Sequence, residues 1–89
     1  MLTEYIVAAM HKAKYEILED DGTFYGHIPE CRGVWASADT LEATRVELQE
    51  VLEGWIVLGL RLGHTLPVID GMNLTPELLL LEEQEQEVA

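Results

Sequence analysis

The chain has 89 residues, enough for one domain and not for two, and a domain of this size buries only about 60% of the surface its unfolded form exposes. Seventeen acidic residues against five basic ones give a formal net charge of −12. Such a surface repels a nucleic-acid duplex, whose affinity depends on Lys and Arg displacing condensed counterions. A hydrophobic fraction of 48% excludes compositional disorder, and the lone Cys31 excludes an intramolecular disulfide or a cysteine metal cluster.

The cations Lys12, Lys14, Arg32, Arg45 and Arg61 are dispersed, with no basic stripe to follow a phosphate backbone. A basic protein partner suits this field better, because complementary charge speeds encounter and disfavours wrong partners. The plainer reading is that acidity serves solubility alone. Glu4 interrupts any basic-then-apolar signal at the N-terminus. The apolar run Trp55–Leu60 is too short to span a bilayer before Arg61 closes it. The expectation is a soluble protein of the reducing cytoplasm, without membrane contact, whose modest core is extended by a paired subunit.

Residues 1–12 read as a short amphipathic helix, with Leu2, Tyr5, Ile6, Ala9 and Met10 at helical spacing and Thr3 as its N-cap. Tyr15–Asp20 and Thr23–Ile28 are β-rich runs on either side of Asp21-Gly22, the dipeptide of a type I′ hairpin with positive φ at both central residues. A two-residue loop there pairs Leu18 with Tyr25 and Glu16 with His27. Tyr15, Ile17, Phe24, Gly26 and Ile28 then share the face to be buried, where Gly26 admits close packing. A slip of one residue exchanges the two faces.

Pro29 ends the second strand because it cannot donate to a ladder, and Gly33 turns the chain into a third strand, Val34–Ser37. Asp39, three residues before Glu42, approximates a capping box at the head of a helix over about 40–62. Leu41, Leu48, Leu52, Trp55, Gly59 and Leu62 form its apolar stripe, flanked by Val51 and Leu58; Glu42, Glu47, Glu50 and Glu53 lie opposite, and Gly63 is the C′ residue. Leu66–Ile69 is a short strand, placed at an edge by Pro67. Thr75-Pro76-Glu77 is a helix start with Pro at N1, after which Leu78–Leu81 run into Glu82, Glu83, Glu85 and Glu87. The organisation is therefore an N-terminal helix over 1–12, an α+β domain over 13–70, and an acidic tail over 71–89 that either docks as a short helix or frays.

Little in the chain carries chemistry. His11, His27 and His64 have no ligand spacing, Cys31 has no signature of a thiol enzyme, Ser37 and Thr40 beside Asp39 read as capping groups, and no Gly-rich loop lies between a strand and a helix. No cofactor, resident metal or catalytic residue is expected. The one enzymatic arrangement is Glu16, Asp20, Asp21 and Asp39 converging on divalent metals for phosphodiester hydrolysis; against it, Asp20-Asp21-Gly22 reads as a turn and Asp39 as a cap. Tyr25 and His27 fall on the outer face of the hairpin with Trp35 on the adjoining strand, and aromatic side chains of this kind anchor interfaces. The other reading, that Tyr25 and Trp35 pack inside, stays open; Trp55 reads as core.

The ordered set Tyr25-Gly26-His27-Ile28-Pro29-Glu30-Cys31-Arg32-Gly33-Val34-Trp35-Ala36, followed by Asp39-Thr40-Leu41-Glu42, resembles the HicB family. Its members are antitoxins of bacterial and archaeal HicA–HicB toxin–antitoxin systems, and proteins similar to them. Leu48–Trp55 and Leu66-Pro67 fall where that family has its helix and final strand, so the resemblance covers about residues 13–69. It implies a β-β-β-α-β fold, likened to a truncated ribonuclease H core without the catalytic carboxylates. It also implies a homo-dimer or homo-tetramer, and inhibition of a small basic RNA-cleaving HicA-type toxin whose RNA surface the antitoxin occludes. Tyr25, His27, Pro29, Trp35 and Asp39, with Glu42 on the helix rim, are the expected contact residues. Ala38 stands where the family often has glycine and Cys31 where leucine is common. The residues after Ile69 are acidic, so the DNA-binding module of full-length members is not carried over. A stand-alone oligomeric scaffold or regulatory module is the alternative outside the antitoxin class.

Overall fold

The computed structural model describes residues 2–74. Helix α1 covers Leu2–His11, strands β1, β2 and β3 cover Lys14–Ile17, Phe24–His27 and Trp35–Ala38, and helix α2 covers Leu41–Arg61. The strands form an antiparallel sheet in the order β1-β2-β3. This is the expected α+β arrangement: a helix, a three-stranded meander and a long second helix.

The hairpin departs from a two-residue turn. Lys14 pairs with His27, Tyr15 with Gly26, Glu16 with Tyr25 and Ile17 with Phe24, a shift of two residues from the expected pairing. The Leu18 N–H donates to the Thr23 carbonyl, so residues 19–22 form the loop. Gly22 alone takes positive φ there, at 74°. The cause lies in Asp21: its carboxylate accepts from the Thr23 N–H at 3.0 Å and from the Thr23 hydroxyl at 2.7 Å, a side-chain turn that competes with the I′ geometry. Those two bonds hold its carboxyl below the usual carboxylate range. A shift of two preserves the side-chain parity of each strand, so the expected division into two faces survives.

Caps bound α2. Thr40, not Asp39, is the N-cap: its Oγ1 accepts from the Ala43 N–H at 3.0 Å. At the other end Gly63 takes φ 72°, its N–H donates to the Leu60 carbonyl, and the His64 N–H donates to the Gly59 carbonyl. This pair of bonds defines a Schellman ending, with glycine supplying the left-handed conformation at C′. At the N-terminus, Thr3 lies inside the first turn of α1 rather than capping it.

One core joins the layers. Tyr5, Ala8 and Ala9 of α1, Ile28, Val34 and Ala36 from the sheet region, Leu48, Leu52, Ile56 and Leu60 of α2, and Leu66, Ile69 and Leu74 beyond it are buried together. Ile56 and Leu60 are buried where α2 also meets α1, whereas Leu41 and Leu62, expected in the stripe, are exposed as the first residue and the C-cap of the helix. Trp55 is half-buried against the core, as expected.

The strand expected at 66–69 does not join the sheet. Ile69 pairs only with Met72, in an isolated bridge, because Asp70 and Gly71 both take positive φ and reverse the chain at once. Pro67 contributes otherwise: its carbonyl accepts the Tyr5 hydroxyl at 2.7 Å, tying this segment to α1. Lys12 reinforces the tie with an ion pair to Asp70 at 3.3 Å. The Leu78–Leu81 segment lies outside the described residues.

Candidate functional site

Alternation along the strands decides what the open side of the sheet displays. Helix α2 lies against β2 and β3 on one side. Gly26 sits beneath it: a Cβ at that position would stand 2.8 Å from the Tyr15 ring and 3.2 Å from the Thr44 methyl group. The Thr44 hydroxyl, fully buried, donates to the Thr40 carbonyl at 2.8 Å, with the Phe24 carbonyl at 3.4 Å. Strand β1 projects past this cover, so Ile17, expected to be buried, is 61% exposed.

The other side carries two rows of residues across the sheet. The pairings align Lys14, His27 and Trp35 in one row and Glu16, Tyr25 and Ser37 in the next. Within this lattice the Tyr25 and His27 rings stack at a centroid separation of 5.5 Å, and Tyr25 meets Trp35 at 6.1 Å, inside the range of favourable aromatic pairs. Trp35 is 55% exposed, while Tyr25 and His27 are half-buried by one another and their neighbours. His27 Nδ1 is shielded from solvent and has no hydrogen-bond partner among the described residues, an unmet polar group at the middle of the patch.

Of the six residues singled out from sequence, the structure brings Tyr25, His27 and Trp35 together. Pro29 is exposed just beyond β2, at the Trp35 end of the patch. Asp39 follows β3 at the opposite end, and Glu42 lies on the first turn of α2. Sequence reasoning placed Glu16 on this face and missed Lys14 and Ser37 as members of it; strict alternation through the three strands was the signal available.

Charge is distributed unevenly around the patch. Glu19, Asp20 and Asp21 in the β1–β2 loop and Asp39 after β3 are all exposed at one end of the sheet. Lys14 lies toward the other end, on the side of the β2–β3 turn that holds Arg32. Among the described residues no group of three or more His, Cys, Asp or Glu side chains stands close enough to hold a metal ion. Cys31 is buried, and burial, then the nearby Glu30, pushes its thiol up to about 11, so it is held as a thiol.

Among the described residues, a three-stranded meander backed by a long helix on one side and open on the other, with an aromatic trio on the open side, defines a two-layer α+β domain with one free sheet face. The chain belongs to the UPF0150-like family, whose model matches residues 4–67. Among solved structures it is similar to the crystal structure of TTHA0281 from Thermus thermophilus, with 37% identity over 82% of this chain and 90% of that one, and a TM-score of 0.77. None of the curated proteins matches it. Among the described residues no helix is long and apolar enough to cross a membrane.

Proposed function

We propose that this chain is a HicB-like antitoxin domain, acting by binding rather than catalysis, which masks a small basic RNA-cleaving toxin of the HicA type in the cytoplasm. The observation that carries this reading is the contiguous trio of exposed Trp35 and half-buried Tyr25 and His27 on the open face of the sheet. Aromatic side chains exposed on a rigid sheet supply large contact area at small entropic cost, the composition of an interface centre. The acidic end formed by Glu19, Asp20, Asp21 and Asp39 then faces the cationic surface that an RNA-binding partner must have, and the −12 field steers the encounter. The HicB resemblance of residues 13–69 agrees with membership of the UPF0150-like family.

The test is capture of partners by the tagged chain at low and then high salt, followed by an RNA-cleavage assay on any small basic protein recovered. Cleavage that stops when the chain is added back, and resumes with Trp35→Ala, supports masking. Recovery of the chain alone, as a stable oligomer, moves the assignment to a self-assembling scaffold.

A further inference from the structure

Helix α2 carries a second exposed surface, on the side turned away from the core and independent of the free sheet face. Glu50, Glu53, Gly54, Val57, Leu58 and Arg61 line a shallow groove there, with Val57 48% and Leu58 57% exposed. Gly54 forms its floor: nothing lies within 4 Å of the place where a Cβ would stand, so the helix backbone is open to a neighbour. Gln49 Nε2 donates to Glu53 Oε1 at 3.2 Å, which draws that carboxylate toward the α1 flank and leaves the middle of the groove apolar.

The order of these residues makes the surface its own complement. Rotation about a two-fold axis between Trp55 and Ile56 maps the groove onto itself, since Glu50 exchanges with Arg61, Glu53 with Leu58 and Gly54 with Val57. Two antiparallel copies of α2 placed so insert Val57 of each into the opening over Gly54 of the other. Glu50 of each then meets Arg61 of the other at both ends of the contact, about 16 Å apart along the helix at 1.5 Å per residue. A contact in which the same patch serves both partners is the mark of a two-fold homo-dimer. We infer that this face of α2 is a homo-dimer interface whose occupant is a second copy of the chain, held in register by reciprocal Glu50–Arg61 ion pairs around a Gly54–Val57 centre.

The experiment is sedimentation velocity of the full chain over a concentration series, with circular dichroism as the check on folding. The parent chain is expected to dimerise, and Arg61→Glu to weaken association roughly tenfold, since each reversal breaks two ion pairs and creates two like-charge contacts. Glu50→Arg is expected to weaken it as well, although this change lowers the net charge. If overall repulsion alone governed assembly, that variant would associate more tightly. The double reversal E50R/R61E restores the dimer. Gly54→Gln, at a position where a Cβ meets nothing within 4 Å in the single chain, leaves the dichroism spectrum intact and loses the dimer.

A chain that stays monomeric throughout the series overturns the inference. So does a dimer indifferent to E50R and G54Q, including one that is lost instead on replacing Leu79 and Leu80 by Ser.

Discussion

The two faces of the sheet are built from alternating residues of the same short strands and have opposite fates. Where α2 lies closest stand the small residues Gly26 and Ala36, both buried, with half-buried Phe24 beside them; on the open side stand Tyr25, His27 and Trp35. Size alone would assign the tryptophan to the interior and the glycine to a turn. The helix inverts that order, because a backbone lying close over a strand needs room that only small residues leave. Aromatic area kept on the open side adds little to the core and is left available for contact.

The largest test of this contrast lies in the core beneath the helix. Leu52, fully buried, replaced by alanine is expected to cost about 2–5 kcal/mol in urea denaturation, through lost burial and the cavity left behind. Gly26→Ala should cost about 1–3 kcal/mol, because the new methyl group displaces the Tyr15 ring and crowds Thr44. An unchanged denaturation midpoint for that variant would show that the helix does not press on the sheet as described. Removing the cap with Thr40→Ala should cost about 1 kcal/mol, the ordinary worth of an N-cap hydroxyl.

Alkaline pH probes the same interior. Burial pushes the Cys31 thiol up to about 11 and, with Cys31 nearby, the Tyr5 hydroxyl up to about 12. Both groups bind protons more tightly folded than unfolded, so stability falls as pH rises, from about 9 to 11 for the thiol and from about 10 to 12 for the phenol. Denaturation midpoints measured from pH 8 upward, with Cys31→Ser as the control that removes the lower window, check this. The smallest effect belongs to the open face: Trp35→Ala should change stability by no more than about 0.5 kcal/mol while abolishing the proposed masking of a toxin. A loss comparable to that of Leu52→Ala would mean that Trp35 serves the fold, and the contrast between the faces would fail.

Much of this was legible in the chain. The α+β order, the ends of α2 near Thr40 and Gly63, and the side-chain parity that groups Tyr25 and His27 apart from Phe24 and Gly26 all follow from signals spanning a few residues: caps, turn formers and alternation. Local chemistry sets them, so tertiary packing did not need to be known. The hairpin pairing escaped because Asp21 commits its carboxylate to Thr23, and the dipeptide Asp21-Gly22 does not reveal whether its side chain or its backbone will shape the turn.

Other features were decided only in three dimensions. Ile56 and Leu60 face inward, beyond the expected stripe, because α2 must meet α1 as well as the sheet, and a helical stripe reports a face without saying how far it is rotated. Ile17 stays exposed because the helix covers β2 and β3 and not the full width of the sheet. The gathering of Tyr25, His27 and Trp35 with Lys14, Glu16 and Ser37 depends on the register of three strands at once. Sequence determined the elements and their two-sidedness, since those depend on near neighbours; only the tertiary structure decided which side is covered, since that depends on where a distant helix comes to rest.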